Sequence, residues 1–210
     1  MTPLVVGIDF DNTIATYDRM FHHLAVERGL IEREVPISKR HVRDAVRLRE
    51  DGESHWQRLQ ASAYGTHMAD AAMAPGVAEF LARCRDCAMP VYVISHRTRH
   101  AALDQSRVPL REAAVDWMRA RGLFGAQGLG IREDRVFFES TRAEKIARIA
   151  SVACTHFIDD LQEVLLEPDF PTGVVKVLYA PDREHVHPAI DGVRTVTNWG
   201  EVHEVVFERR

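Results

Sequence analysis

The sequence predicts an α/β protein, a doubly wound parallel sheet carrying a small helical insertion, and three observations lead there. Short apolar, β-rich runs recur along the chain, helical stripes lie between the later runs, and one long stretch has no strand signal. Leu4-Val5-Val6-Gly7-Ile8 opens the series as a continuous apolar run, the pattern of a strand covered on both faces. Val91-Tyr92-Val93-Ile94, Arg135-Val136-Phe137-Phe138, His156-Phe157-Ile158 and Val174-Val175-Lys176-Val177-Leu178 repeat it. Val77, Phe80, Leu81 and Cys84 make a helical stripe; Leu110, Ala114, Trp117 and Met118 make another, with Gly122 as its stop. Strands alternating with helices imply right-handed crossovers, and so parallel pairing.

Residues 17–73 are too long for an ordinary connection and are expected to fold by themselves, leaving 1–16 and 74–210 as the α/β core. Tyr17, Phe21, Leu24 and Ala25 form one stripe before Gly29. Ser38 is expected to cap a helix carrying Val42, Ala45 and Val46, and Trp56, Leu59 and Ala63 form a third stripe before Gly65.

Composition excludes more than it assigns. With 210 residues, 46% of them hydrophobic and 28% charged, the chain matches an ordinary globular domain large enough for a real core. Its 27 Lys and Arg against 31 Asp and Glu give a net charge of −4, which argues against a stable nucleic-acid partner or an anionic membrane surface. No apolar run has the length of a membrane span. Three cysteines cannot all pair internally, and Met1-Thr2-Pro3 does not begin a signal peptide, so a cytoplasmic location is expected.

Chemistry gathers at the strand ends. The first strand runs into Asp9-Phe10-Asp11-Asn12-Thr13, placing two carboxylates at the carboxyl edge of a parallel sheet, where open α/β folds bind ligands. The second ends in Ser95-His96-Arg97-Thr98, a hydroxyl with consecutive backbone N–H groups suited to a phosphate oxygen. Thr141-Arg142-Ala143-Glu144 has capping-box spacing and puts Lys145 in the first turn of a helix, against the macrodipole. His156-Phe157-Ile158-Asp159-Asp160 closes another strand on a second acidic pair, and four carboxylates at one sheet edge call for a divalent cation.

In this order and spacing, the Asp9–Thr13 motif, Ser95, Lys145 and Asp159-Asp160 resemble the haloacid dehalogenase superfamily. The resemblance implies a sheet of order 5-4-1-2-3 with its first and fourth strands adjacent, and makes residues 17–73 a cap inserted between the first two motifs. It implies Asp9 as nucleophile, Asp11 as general acid and base, and Lys145 as the cation beside nucleophile and phosphate. It implies Ser95, His96, Thr13 and Lys145 as the phosphate-binding set. Mg²⁺ would be held by the Asp9 carboxylate, the Asp11 backbone carbonyl and Asp160, with Asp159 acting through water or behind the ligands; which of the last two binds directly stays open. Relatives that displace halide lack an acid at the position of Asp11, so the resemblance favours a phosphatase acting on a small phosphorylated metabolite. A phosphotransferase or mutase, or a non-catalytic receiver-like Mg²⁺-binding module, are the alternatives, and the oligomeric state is open.

Other residues read as structure. Lys39, Arg40, Arg43 and Arg47 fit a site for a second anionic group on the substrate or, more readily, a solvated face balanced by Asp44 and Glu50, and Trp56 and Tyr64 fit a small core more readily than a surface that stacks on a base or sugar. Cys84 and Cys87 lack a second ligand pair for zinc. His185 and His187 lie between prolines and are expected in an exposed loop. His96 and Arg97 read more readily as structural or substrate-shell side chains than as catalysts.

Overall fold

The structure is a computed structural model that describes residues 3–101, 108–181 and 189–207, so His185 and His187 lie outside the described residues. In chain order its strands are Val6–Ile8 (β1), Ala15–Thr16 (β2), Ala72–Met73 (β3), Val91–His96 (β4), Val136–Glu139 (β5), His156–Asp159 (β6), Val175–Tyr179 (β7) and Val193–Val196 (β8). Its α-helices are Asp18–Glu27 (α1), Lys39–Arg47 (α2), Gly52–Tyr64 (α3), Val77–Asp86 (α4), Leu110–Ala120 (α5), Arg142–Ser151 (α6), Gln162–Leu165 (α7) and Trp199–Phe207 (α8).

Every residue of β1 is apolar or glycine and every one is buried, so the strand needs neighbours on both edges and cover on both faces. It has them: β4 pairs with it in parallel on one side and β6 on the other. The full sheet is parallel, in the order β5-β4-β1-β6-β7-β8. Counting only these long strands in sequence, that is the expected 5-4-1-2-3 order with a sixth strand, β8, added beside the fifth. The strands β2 and β3 pair separately.

Packing divides the chain into two units. The first comprises Met1–Ala15, Met73–Arg97 and Gly122–Arg210 and holds the six-stranded sheet with α4, α6, α7 and α8. On one face of the sheet Ile146 and Ile149 of α6 join Ile94, Phe157, Val164, Leu165 and Leu178 in a continuous apolar cluster. Elsewhere Phe80 of α4 meets Trp199 of α8 with ring centroids 5.1 Å apart. Gly7 has a steric reason: a Cβ there would lie 2.5 Å from the Phe157 ring and 2.7 Å from the Cys154 sulfur, closer than any real contact.

The second unit comprises Thr16–Ala72 and Thr98–Arg121. Phe21 stacks on Trp56 at 4.9 Å and Tyr17 meets Tyr64 edge-on at 4.9 Å, the small core expected of those rings. Ser38 stands at the N-terminus of α2 as expected but makes no side-chain cap; the Lys39 N–H instead donates to Asp18 Oδ1 at 2.6 Å. A carboxylate from α1 thus replaces the local hydroxyl, a stronger acceptor and one that also offsets the helix dipole. Helix α5, which lies outside residues 17–73, packs within this unit, with Trp117 Nε1 donating to the Ala71 carbonyl at 2.9 Å. Its apolar stripe is the predicted one, and periodicity does not say which neighbour a stripe will meet. Cys84 is buried, and burial pushes its thiol up to about 12; Cys87 is exposed, and all three cysteines are free. Among the described residues no helix is long and apolar enough to cross a membrane.

Candidate active site

Parallel pairing brings the chemistry to one sheet edge. The register Ile8↔Ile158 aligns the ends of β1 and β6, and the Asp9 N–H donates to the Ile158 carbonyl at 2.8 Å, which seats Asp9 beside Asp159. Lys145 reaches the same point from α6. The helix begins at Thr141, whose Oγ1 accepts from Glu144 N at 3.1 Å while the Glu144 carboxylate accepts from Thr141 N at 3.0 Å. That capping box sets the helix entry, and Lys145 follows with its side chain only 1% exposed.

The buried ammonium donates to Asp9 Oδ1 at 2.6 Å and to Asp159 Oδ2 at 2.6 Å. Burial alone would lower the Lys145 pKa; the opposite charges of Asp9 and Asp159 outweigh it and raise the group above its ordinary range. Asp9 feels the reverse balance. Burial, helped by the charges of Asp159 and Asp11, pushes its carboxyl up to about 7 against the pull of Lys145. Carboxylate oxygens of Asp9, Asp159 and Asp160 all lie within 4.8 Å of one another. One ammonium does not balance them.

The second acidic pair divides its work. Asp159 is fully buried with both oxygens engaged, Oδ2 by Lys145 and Oδ1 by the Leu161 N–H at 2.9 Å. Asp160 is partly exposed and takes a hydrogen bond from Asn12 Nδ2 at 3.2 Å. Asn12 lies in the left-handed region, with φ of 60°, where asparagine is among the best tolerated non-glycine residues. Its backbone N–H donates to the Ala15 carbonyl at 2.7 Å, closing the loop that carries Asp11 and Thr13. The Asn12–Asp160 bond therefore ties the first motif to the last.

Two hydroxyls of the same motifs are orphaned. Thr13 Oγ1 and Ser95 Oγ are buried with no hydrogen-bond partner. An orphaned buried hydroxyl costs on the order of 1–3 kcal/mol, and such groups in native proteins call for an explanation. His96 behaves differently: its Nε2 lies 2.9 Å from the Ser140 carbonyl, so its ring is engaged with the loop after β5. Nothing in the linear pattern singles out Arg97 as more than a neighbour of Ser95. In the structure its guanidinium is buried and donates to Asp11 Oδ1 at 2.6 Å.

No protein-family model and no curated protein matches the sequence. Solved structures do match. A HAD family hydrolase from Deinococcus radiodurans R1, with bound phosphate and sodium, superposes with a TM-score of 0.59 at 15% identity over 99% of this chain and 97% of its own. CbbY from Rhodobacter sphaeroides, in complex with phosphate, gives 0.51 at 15% identity over 96% of each chain. An L-2-haloacid dehalogenase gives 0.54 at 12% identity over 98% of this chain and 99% of its own.

The chain has the haloacid dehalogenase-like fold. At these identities the likeness is one of architecture, and the neighbours include both phosphate-bound proteins and a dehalogenase, so the choice of chemistry rests on this chain's own residues. The haloacid dehalogenase-like sheet explains why Asp9 and Asp159 meet: β1 and β6 are adjacent although 150 residues separate Ile8 from Ile158. The residues fit a hard divalent cation, because every donor is an oxygen and the carboxyls exceed the buried positive charge beside them.

Proposed function

We propose that this chain is a Mg²⁺-dependent phosphatase acting on a small phosphorylated metabolite, with residues 17–73 as the cap that selects it. The observation that carries the reading is Lys145 held at 2.6 Å from both Asp9 and Asp159, a buried cation fixing a carboxylate at the edge of the sheet. Structure alone gains little from such a group, since an apolar residue there would avoid the desolvation cost.

In this reading Asp9 attacks phosphorus; the new bond runs from its carboxylate to phosphorus, and the bond from phosphorus to the ester oxygen breaks. Lys145 tethers Oδ1, so it fixes the plane of the nucleophile and balances charge on the phosphoryl group. Asp11 gives its proton to the departing oxygen, then takes one from the water that attacks the aspartyl-phosphate and frees inorganic phosphate. Ser95 and Thr13 donate their unpartnered hydroxyls to phosphoryl oxygens. Mg²⁺ would be held by Asp9, Asp160 and the Asp11 carbonyl, with Asp159 supporting Lys145 behind them, and when bound supplies positive charge for the transferring group. Asp11 favours phosphoryl transfer over halide displacement, which needs no acid for its leaving group.

The test is a panel of nucleotides, sugar phosphates and simple alkyl phosphates, assayed with Mg²⁺ and again with chelator. Release of inorganic phosphate equal to ester consumed, and lost on chelation, is the expected result. Transfer to an added alcohol in place of phosphate release would turn the reading to a phosphotransferase, and no turnover of any ester would end it.

A further inference from the structure

Arg97 is a buried charge that the steps above do not use. Its side chain is 3% exposed, and its guanidinium donates to Asp11 Oδ1 at 2.6 Å. The surroundings restrict where that group can go. The Arg97 N–H donates to the Glu139 carbonyl at 2.9 Å, which anchors the residue at the ends of β4 and β5. Its guanidinium carbon lies 5.7 Å from the centre of the Phe10 ring, which is itself fully buried and braced edge-on by Phe138 at 5.7 Å. A guanidinium buried for packing alone would be a poor choice, because an apolar side chain of similar volume usually serves as well or better.

We propose that Arg97 is a positioning residue for the general acid: it holds the Asp11 carboxyl in place and compensates the negative charge that appears on it as its proton passes to the leaving oxygen. A guanidinium keeps its proton in proteins, so it cannot replace Asp11 as donor. What it contributes strengthens as the transfer proceeds, which is the condition for lowering a barrier rather than tightening binding. Its importance therefore scales with how much the leaving group needs protonation. The inference rests on the phosphatase reading and adds to it a residue that the linear motif does not mark.

The experiment compares Arg97→Gln, Arg97→Lys, Asp11→Asn and the Arg97→Gln/Asp11→Asn double variant on two Mg²⁺-supplemented substrates. One is an alkyl phosphate turned over by the wild type, whose leaving alkoxide must be protonated; the other is p-nitrophenyl phosphate, whose phenolate leaves readily. A charged hydrogen bond of this kind corresponds to about a 10- to 100-fold loss of kcat on the alkyl ester in Arg97→Gln, with KM unchanged. On p-nitrophenyl phosphate the first-turnover release of p-nitrophenolate, which precedes the hydrolytic step common to both esters, falls little, Arg97→Lys recovers part of the alkyl-ester activity, and Arg97→Gln costs nothing further on that ester once Asp11 is Asn. Crystal structures supply a readout apart from turnover: the Asp11 carboxyl moves in Arg97→Gln and keeps its place in Arg97→Lys. Equal losses of first-turnover leaving-group release on both esters, or additive losses in the double variant, overturn the proposal in favour of a structural role. A raised KM with kcat retained overturns it by placing the guanidinium on substrate. Should Arg97→Gln not fold, Arg97→Lys with Asp11→Asn runs the same cycle. If the wild type turns over no ester of the panel, the phosphatase reading fails before any Arg97 variant is assayed, and the proposal falls with it.

Discussion

Ion pairs of nearly the same length occur in both units and mean different things. In the sheet unit Lys145 meets Asp9 and Asp159 at 2.6 Å, with side chains 1%, 6% and 0% exposed. In the second unit Arg43 meets Asp44 at 2.8 Å and Arg47 meets Glu53 at 2.7 Å, with side chains 39–56% exposed. Water already solvates the second group, so closing those pairs changes little. The first group has lost its water and depends on each partner for compensation. Distance is thus a poor guide to importance, and burial decides which charges the molecule relies on.

The comparison can be broken in four places. The largest effect is expected for Asp9→Asn, which keeps the shape of the buried group but removes the proposed nucleophile; kcat should fall on the order of 10⁴- to 10⁶-fold, read by single-turnover phosphate release. Full turnover in that variant would sever the buried pair from the chemistry. Next, Lys145→Met leaves two carboxyls buried without their cation and should cost about 3–5 kcal/mol in urea unfolding. A cost no greater than that of a surface pair would show that the unit repacks around the loss.

Mg²⁺ offers a third point of attack. Added at about a hundred times its dissociation constant, it should stabilise the chain by roughly 2.7 kcal/mol in thermal melts, whereas Asp160→Asn should abolish the gain at the same ionic strength. An equal gain in both proteins would mean that salt in general, and not a site at Asp160, is responsible. The smallest effect belongs to the exposed pairs: Arg47→Ala should cost about 0.2–1 kcal/mol and nothing measurable in high salt. A larger, salt-resistant loss would put Arg47 to work beyond its contact with Glu53.

The legible parts of the fold were those written in local chemistry. Apolar runs marked β1, β4, β5, β6 and β7, because parallel strands between covering helices need apolar residues on both faces. The strand β8 escaped the same rule: Val193-Arg194-Thr195-Val196 sits at the sheet edge with Arg194 and Thr195 exposed, too short an alternation to stand out. The α5 stripe was visible, yet its place in the second unit was not. At the site, Asp9, Lys145 and Asp159 could be named because each follows a strand end or a capping box. Arg97–Asp11 and Asn12–Asp160 could not, since their partners stand 86 and 148 residues apart and no spacing rule links them.

Sequence alone therefore determined which side chains stand at the ends of which strands, and the residue types there already limited the chemistry to carboxylates, a cation and hydroxyls. Tertiary structure decided how those charges pair: Lys145 between Asp9 and Asp159, Arg97 on Asp11, Asn12 on Asp160. The physical reason is that strand and cap signals come from contacts a few residues apart, whereas the value of a buried charge depends on what remains beside it after the sheet has closed and water has left.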